Sequence, residues 1–161
     1  MPTTVYEPGG GPETTYILVH LDDAEMSESL VDDIDSLDAA DYAFFRARAA
    51  ASVRRVAGRC GHRVNVVDPM AADPAFGGPT LGGKGFPGWR EAVLDNSEVS
   101  KVARMVSPGS PVVVAGFARH DCVRRAAAAL ERAGCRVEIH DAGTLPLTAR
   151  ALRAPDSMPP G

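Results

Sequence analysis

Short apolar runs alternate with segments of helical periodicity along this chain, and that alternation most restricts what it can fold into. YILVHL (16–21), HRVNVVDP (62–69), PVVVAG (111–116) and RVEIHD (136–141) are apolar runs of strand length, bounded by polar or turn-forming residues. Between the first two, Tyr42, Phe45, Ala49, Val53, Val56 and Cys60 recur at steps of three and four. They mark one apolar face of a helix over 39–60, with Arg46, Arg48, Arg54, Arg55 and Arg59 mostly elsewhere on the wheel. Asp38 is placed to cap its start and Gly61 to end it. The spacing predicts a short helix over 97–106 and another over 122–133, ended by Gly134. The order β, α, β, loop, α, β, α, β predicts an α/β fold: an open, mostly parallel sheet with helices on both faces, Rossmann-like in its three layers.

The segments outside this alternation set the domain limits. Residues 1–15 are rich in Pro, Gly and Thr and are expected to be a flexible arm, 16–145 the folded domain, and 146–161 a tail ending in turn formers. DDAEMSESLVDDIDSLD (22–38) reads as a strongly acidic loop. PMAADPAFGGPTLGGKGFPGWR (69–90) is dominated by Gly and Pro, with room for only a very short strand. A connection of that length inside a compact domain is usually functional.

Composition narrows the classes of function. With 161 residues, 45% of them apolar, one packed domain is expected, and with only 6% aromatic residues its core must be mostly Ala, Val and Leu. A net charge of −4 argues against nucleic acid as a partner. No stretch is long and apolar enough to span a membrane, and MPTTVYEPGGG has neither the basic nor the apolar region of a secretory signal. Cys60, Cys122 and Cys135 lie far apart, with no CxxC pair and no His-x-x-x-His. Neither a disulfide framework nor a zinc site is expected, and a reducing cytoplasm is the default compartment.

Ligands of open parallel sheets bind outside the carboxyl ends of the strands. Three such ends carry polar chemistry: His20-Leu21-Asp22-Asp23, Asp68, and Gly116-Phe117-Ala118-Arg119-His120-Asp121-Cys122. Cys122 stands at the start of the 122–133 helix, where unbonded N–H groups and the helix dipole favour a thiolate. Arg119 and His120 would add to that effect and Asp121 would oppose it. The same position also suits a cysteine that packs as a small apolar residue.

From Pro111 to Ala142 the chain resembles the isochorismatase-like cysteine hydrolase superfamily, which includes nicotinamidases, carbamoylsarcosine amidases and isochorismatases. The resemblance rests on VVVAG, on Cys122-Val123 six residues after Gly116, on an Ala-rich helix to Gly134 and on VEIHDA, all without a gap. YILVHLDDAEM and VRRVAGRCGHRVNVVD extend it upstream more weakly. The resemblance implies hydrolysis of a C–N bond in a small amide through a Cys122 thioester. The metal site of nicotinamidases has no counterpart in this sequence, His62, His120 and His140 being too scattered, so neither a metal nor a cofactor is expected. It implies Asp22 as the base for the thiol, although the ungapped register puts Leu21 at that position, and Lys84 as the companion cation after a small insertion. It implies an oxyanion hole from the N–H groups of Ala118 and Cys122, with Phe117, Arg119, His120, His20 and Trp89 around the substrate. Family members are commonly oligomers, so a homodimer is expected. Two other readings stay open: a catalytically degenerate relative that binds a ligand or partner, and an enol-ether hydrolase that uses no cysteine nucleophile.

Overall fold

A computed structural model describes residues 8–20, 39–67, 89–95, 97–117 and 122–145. In chain order they form β1 (Thr15–Val19), α1 (Ala39–Ala57), β2 (His62–Val67), β3 (Arg90–Val93), a 3-10 helix (Val99–Met105), β4 (Pro111–Phe117), α2 (Cys122–Arg132) and β5 (Arg136–Leu145). The strands make one sheet in the order β3-β2-β1-β4-β5, and every pairing is parallel.

β1 is central and all five of its residues are buried, which is why its sequence is continuously apolar rather than alternating. Its side chains serve two different layers. Ile17 and Val19 join Val64, Val66, Val112 and Val114 in an apolar cluster with Val99 and Val102 of the 3-10 helix and Cys122, Val123, Ala126 and Leu130 of α2. Tyr16 and Leu18 alternate to the opposite face. There α1 lies, with Ala49, Val53, Val56 and Cys60 buried as its spacing predicts, and with Arg48, Arg54, Arg55 and Arg59 exposed. The result is a three-layer α/β sandwich. From β1 the chain steps one way along the sheet to β2, and from β4 it steps the other way to β5. Crossovers of one hand that run in opposite directions must put their helices on opposite faces.

Several element ends differ from expectation for local reasons. α1 stops at Ala57 rather than 60, and its last turn tightens, with Arg59 N–H on the Val56 carbonyl and Cys60 N–H on the Ala57 carbonyl, both 3.0 Å. Gly61 instead anchors the turn before β1, its N–H shared between the Gly11 and Thr14 carbonyls at 3.1 Å. β3 is a four-residue edge strand that begins at the last residue of the Gly- and Pro-rich sequence 69–90, too short to leave a periodic signal. The helix expected over 97–106 is a 3-10 helix. Val99 and Val102, three apart, are both buried, and residues at that spacing eclipse in a 3-10 helix. The N-cap residue is Glu98, and the turn before it is closed by Asp95: Oδ1 accepts from the Ser97 and Glu98 N–H groups at 2.8 and 3.0 Å, while Glu98 Oε1 accepts from the Asp95 N–H at 3.5 Å. This is the reciprocal pattern of a capping box, set ahead of the helix.

α2 ends as Gly134 predicts. Gly134 has φ +87, its N–H reaches the Glu131 carbonyl at 2.9 Å, and Cys135 N–H reaches the Leu130 carbonyl at 3.0 Å. This is a Schellman motif, and its usual apolar contact is supplied by Leu130 and Cys135, both in the core cluster. β5 runs past the expected strand and carries a large bulge. Between Val114↔Ile139 and Gly116↔Thr144, β4 advances two residues while β5 advances five.

Candidate functional site at the carboxyl ends of β1 and β4

The strand order reverses between β1 and β4, so the chain leaves these two neighbours toward opposite edges of the sheet. Where strand order reverses in this way, open parallel sheets have their crevice and usual ligand position at the carboxyl ends of the two strands. Val19 and Gly116 are partners there. Gly116 has φ +122, and a Cβ on it would fall onto the Val19 backbone, so only glycine fits this close approach.

His20 follows directly. Its N–H donates to the Val66 carbonyl at 2.9 Å, one step past the end of β1, and the backbone then turns left-handed with φ 53. Histidine is among the residues that tolerate this region. The side chain is 5% exposed, and Nε2 donates to the Leu94 carbonyl at 2.8 Å, which requires the hydrogen on Nε2. His20 thus ties the end of β1 to the segment after β3, as a bonded buried histidine.

Cys122 is the first residue of α2, which follows β4 after a short connection. It is 3% exposed and belongs to the same apolar cluster as Ile17, Val19, Val66 and Val123. Its place at a helix start beside the crevice agrees with the expectation of a nucleophile, and its apolar surroundings agree equally with a packing role. None of the three cysteines is in a disulfide, and all are buried. Burial pushes the Cys60 thiol up, against smaller opposing effects from a backbone hydrogen bond at Gly11 and from Arg63 and Arg59. Cys60 is therefore a protonated, weakly reactive reference thiol.

The remaining expected site residues divide into two groups. Asp22, Leu21, Lys84, Ala118, Arg119, His120 and Asp68 lie outside the described residues. Trp89 and Phe117 are described at least in part. Phe117 ends β4, paired with Leu145. Trp89 precedes β3 at its amino end, buried edge-on against Tyr16, with ring centroids 5.9 Å apart. Tyr16 faces α1, so Trp89 belongs with that layer and not with the cluster around Cys122. Among the described residues no three His, Cys, Asp or Glu side chains gather to hold a metal ion.

The α1 face holds polar groups that sequence reasoning passed over. Tyr16 Oη lies 2.7 Å from His140 Nδ1, and His140 Nε2 lies 3.0 Å from Ser52 Oγ. The Arg55 guanidinium donates to the same Ser52 oxygen at 3.3 Å. His140 is fully buried and follows Ile139, which packs on the α2-side cluster, so strand alternation puts its side chain on the α1 face, within reach of Tyr16. Asn65 of β2 is also fully buried, with neither amide atom bonded. The signal for both was a polar residue inside an apolar strand, in VNVV and VEIHD. No protein-family model and no curated protein matches the chain, so its functional reading rests on the residues and geometry above.

Proposed function

We propose that the protein is a small cysteine hydrolase of isochorismatase-like type, cleaving the C–N bond of a small amide. The observation that carries this reading is the position of Cys122: first residue of α2, at the crevice where the ends of β1 and β4 diverge. A helix start supplies N–H groups and a positive dipole end that favour both a thiolate and an oxyanion. In the proposed reaction Asp22 takes the Cys122 proton and Lys84 balances the resulting charge. The sulfur attacks the amide carbonyl, and the Ala118 and Cys122 N–H groups hold the oxyanion. The amine leaves with the proton that Asp22 took, giving a thioester, and water then releases the carboxylic acid and restores the thiol. The chain works without a cofactor, in the cytoplasm, as a homodimer; no helix among its described residues is long and apolar enough to cross a membrane. Among the described residues β3 and β5 are the edge strands of the sheet, which supports self-association, to be checked by light scattering at micromolar concentration.

A second reading is favoured by one specific observation, the burial of Cys122 in an apolar cluster at 3% exposure. On that reading the protein keeps the fold and crevice of a hydrolase and uses them to bind a ligand or partner. Iodoacetamide alkylation at neutral pH, mapped by mass spectrometry, separates the two, with Cys60 and Cys135 as internal references. The hydrolase reading expects Cys122 to react well ahead of both, and Cys122→Ala to abolish turnover of small primary amides. Alkylation of Cys122 no faster than that of Cys60 would establish the binding reading instead.

A further inference from the structure

At the other end of the sheet, a cleft of about 460 Å³ lies among the amino ends of the strands. It is lined by residues at or near the starts of β1, β2, β3 and β4 and by the exit of the 3-10 helix, among them Glu13, His62, Arg63, Arg90, Ser107 and Ser110. β1 alone separates this end from the crevice beside Cys122 by about 16 Å, five residues at the usual strand rise. One ligand of amide size does not reach both.

The cleft gathers positive charge on a protein that is negative overall, with 17 Lys and Arg against 21 Asp and Glu. Arg63 and Arg90 come from adjacent strands. Arg90 pairs with Val64, so Arg63 and Arg90 are one position out of register and start on opposite faces of the sheet, and the cleft over the sheet end is lined by both. Among the described residues neither guanidinium makes a hydrogen bond or an ion pair. Glu13 also lines the cleft and pairs with neither. Two guanidiniums brought to one concavity without a carboxylate between them repel each other, and a shared anion converts that repulsion into attraction.

The hydroxyls complete the arrangement. Ser110 Oγ donates to the Ser107 carbonyl at 2.6 Å, which directs its lone pairs away from that bond, while Ser107 Oγ has no partner among the described residues and is exposed at the cleft. Guanidinium forks bind tetrahedral oxyanions in bidentate fashion, and serine hydroxyls donate to the oxygens left over. The volume falls in the range that holds a small metabolite.

We propose that this cleft is a binding site for the phosphate group of a small phosphomonoester, held by Arg63 and Arg90 with help from His62 and Ser107. A phosphomonoester carries about 1.5 to 2 negative charges at neutral pH, which matches two guanidiniums better than a single carboxylate does. The site stands apart from the Cys122 crevice and does not depend on the hydrolase reading.

Inorganic phosphate is the probe, added to the full chain at constant ionic strength, with sodium chloride and sodium acetate as parallel arms. Backbone amide shifts are followed by NMR, and thermal melting is followed alongside. The expected result is saturable phosphate binding, with the largest shifts at Thr15, His62, Arg90 and Ser110. Acetate and chloride should give at least about tenfold weaker effects, since each bidentate charge-assisted contact is worth about that factor. Arg63→Gln/Arg90→Gln should lose the response, while Cys122→Ala should keep it. The proposal is overturned by any of three results: phosphate shifts no larger than those of chloride in the unmodified protein, acetate binding as well as phosphate, or an unchanged response in the double variant. The first two are read on the unmodified chain and do not depend on how well the variant folds.

Discussion

The two faces of the sheet are built on different principles. The face under α2 and the 3-10 helix is apolar throughout: Ile17, Val19, Val64, Val66, Val112 and Val114 meet valines, alanines and Leu130, with Cys122 and Cys135 as the softest members. The face under α1 is equally buried, yet it carries Tyr16, His140, Ser52 and Asn65. An apolar layer tolerates exchange among similar shapes, because dispersion and burial are not directional. A buried polar layer tolerates little, because each donor or acceptor it loses leaves another without a partner. On this face Tyr16, His140 and Ser52 satisfy one another, while Asn65 satisfies nothing. Its two polar elements should therefore respond to substitution with opposite signs.

The largest effect is expected at His140. His140→Ala leaves the Tyr16 and Ser52 hydroxyls facing each other across a cavity, and should cost about 4 kcal/mol of unfolding free energy in urea titrations. Adding Tyr16→Phe and Ser52→Ala should recover part of that loss, since the hydroxyls that bonded His140 go with it. If the triple variant is no more stable than His140→Ala, the network is not what holds this face. On the apolar face the comparable weak point is Gly116, where space and not polarity is limiting. Gly116→Ala should cost about 3 kcal/mol, from a positive φ and a Cβ against the Val19 backbone. A loss below about 1 kcal/mol would mean that the ends of β1 and β4 yield easily and the crevice is soft.

Asn65 gives a smaller effect of opposite sign. Asn65→Leu replaces two buried unbonded atoms by apolar ones of similar volume, and should stabilise the protein by about 1 kcal/mol. A clear loss of stability would instead mark Asn65 as the partner of an ordered water or ligand. The smallest effect is at the sheet margin. The hydrogen bond from the Ser97 hydroxyl, with help from the Ser97 and Glu98 N–H groups and Lys101, holds the Asp95 carboxyl below its ordinary value against an opposing desolvation effect. Its folded pKa is depressed, so its contribution is present above the unfolded pKa of about 3.9 and is lost as pH falls through the lower folded value. Asp95→Asn should flatten the acid limb of the stability profile below pH about 4 and weaken protection of the Ser97 and Glu98 amides in hydrogen exchange. An acid limb identical to that of the unmodified chain would remove the capping box from the account.

Local sequence signals marked every element that was long or apolar enough to carry one. The runs of β1, β2, β4 and β5, the stripe of α1 and the Gly134 stop of α2 are consequences of burial periodicity and backbone sterics, which act within a few residues. So is the start of α2 at Cys122, where a helical period begins. β3 and the 3-10 character of Val99–Met105 were not marked, because four edge residues and two turns hold too few side chains for a period to show.

Tertiary structure decided how these elements combine. Strand order brought Val19 and Gly116 side by side across almost a hundred residues of chain and placed the start of α2 at the crevice between diverging strands. The pairing of β5 beside β4 brought His140 within reach of Tyr16, and the amino ends of β2 and β3 collected Arg63 and Arg90 into one cleft. Pairing between distant strands is selected by the summed burial and hydrogen bonding of the whole sheet. A single segment carries its own periodicity and caps but no record of which neighbour it will meet, so the sequence alone determined the elements and only the assembled sheet determined the sites.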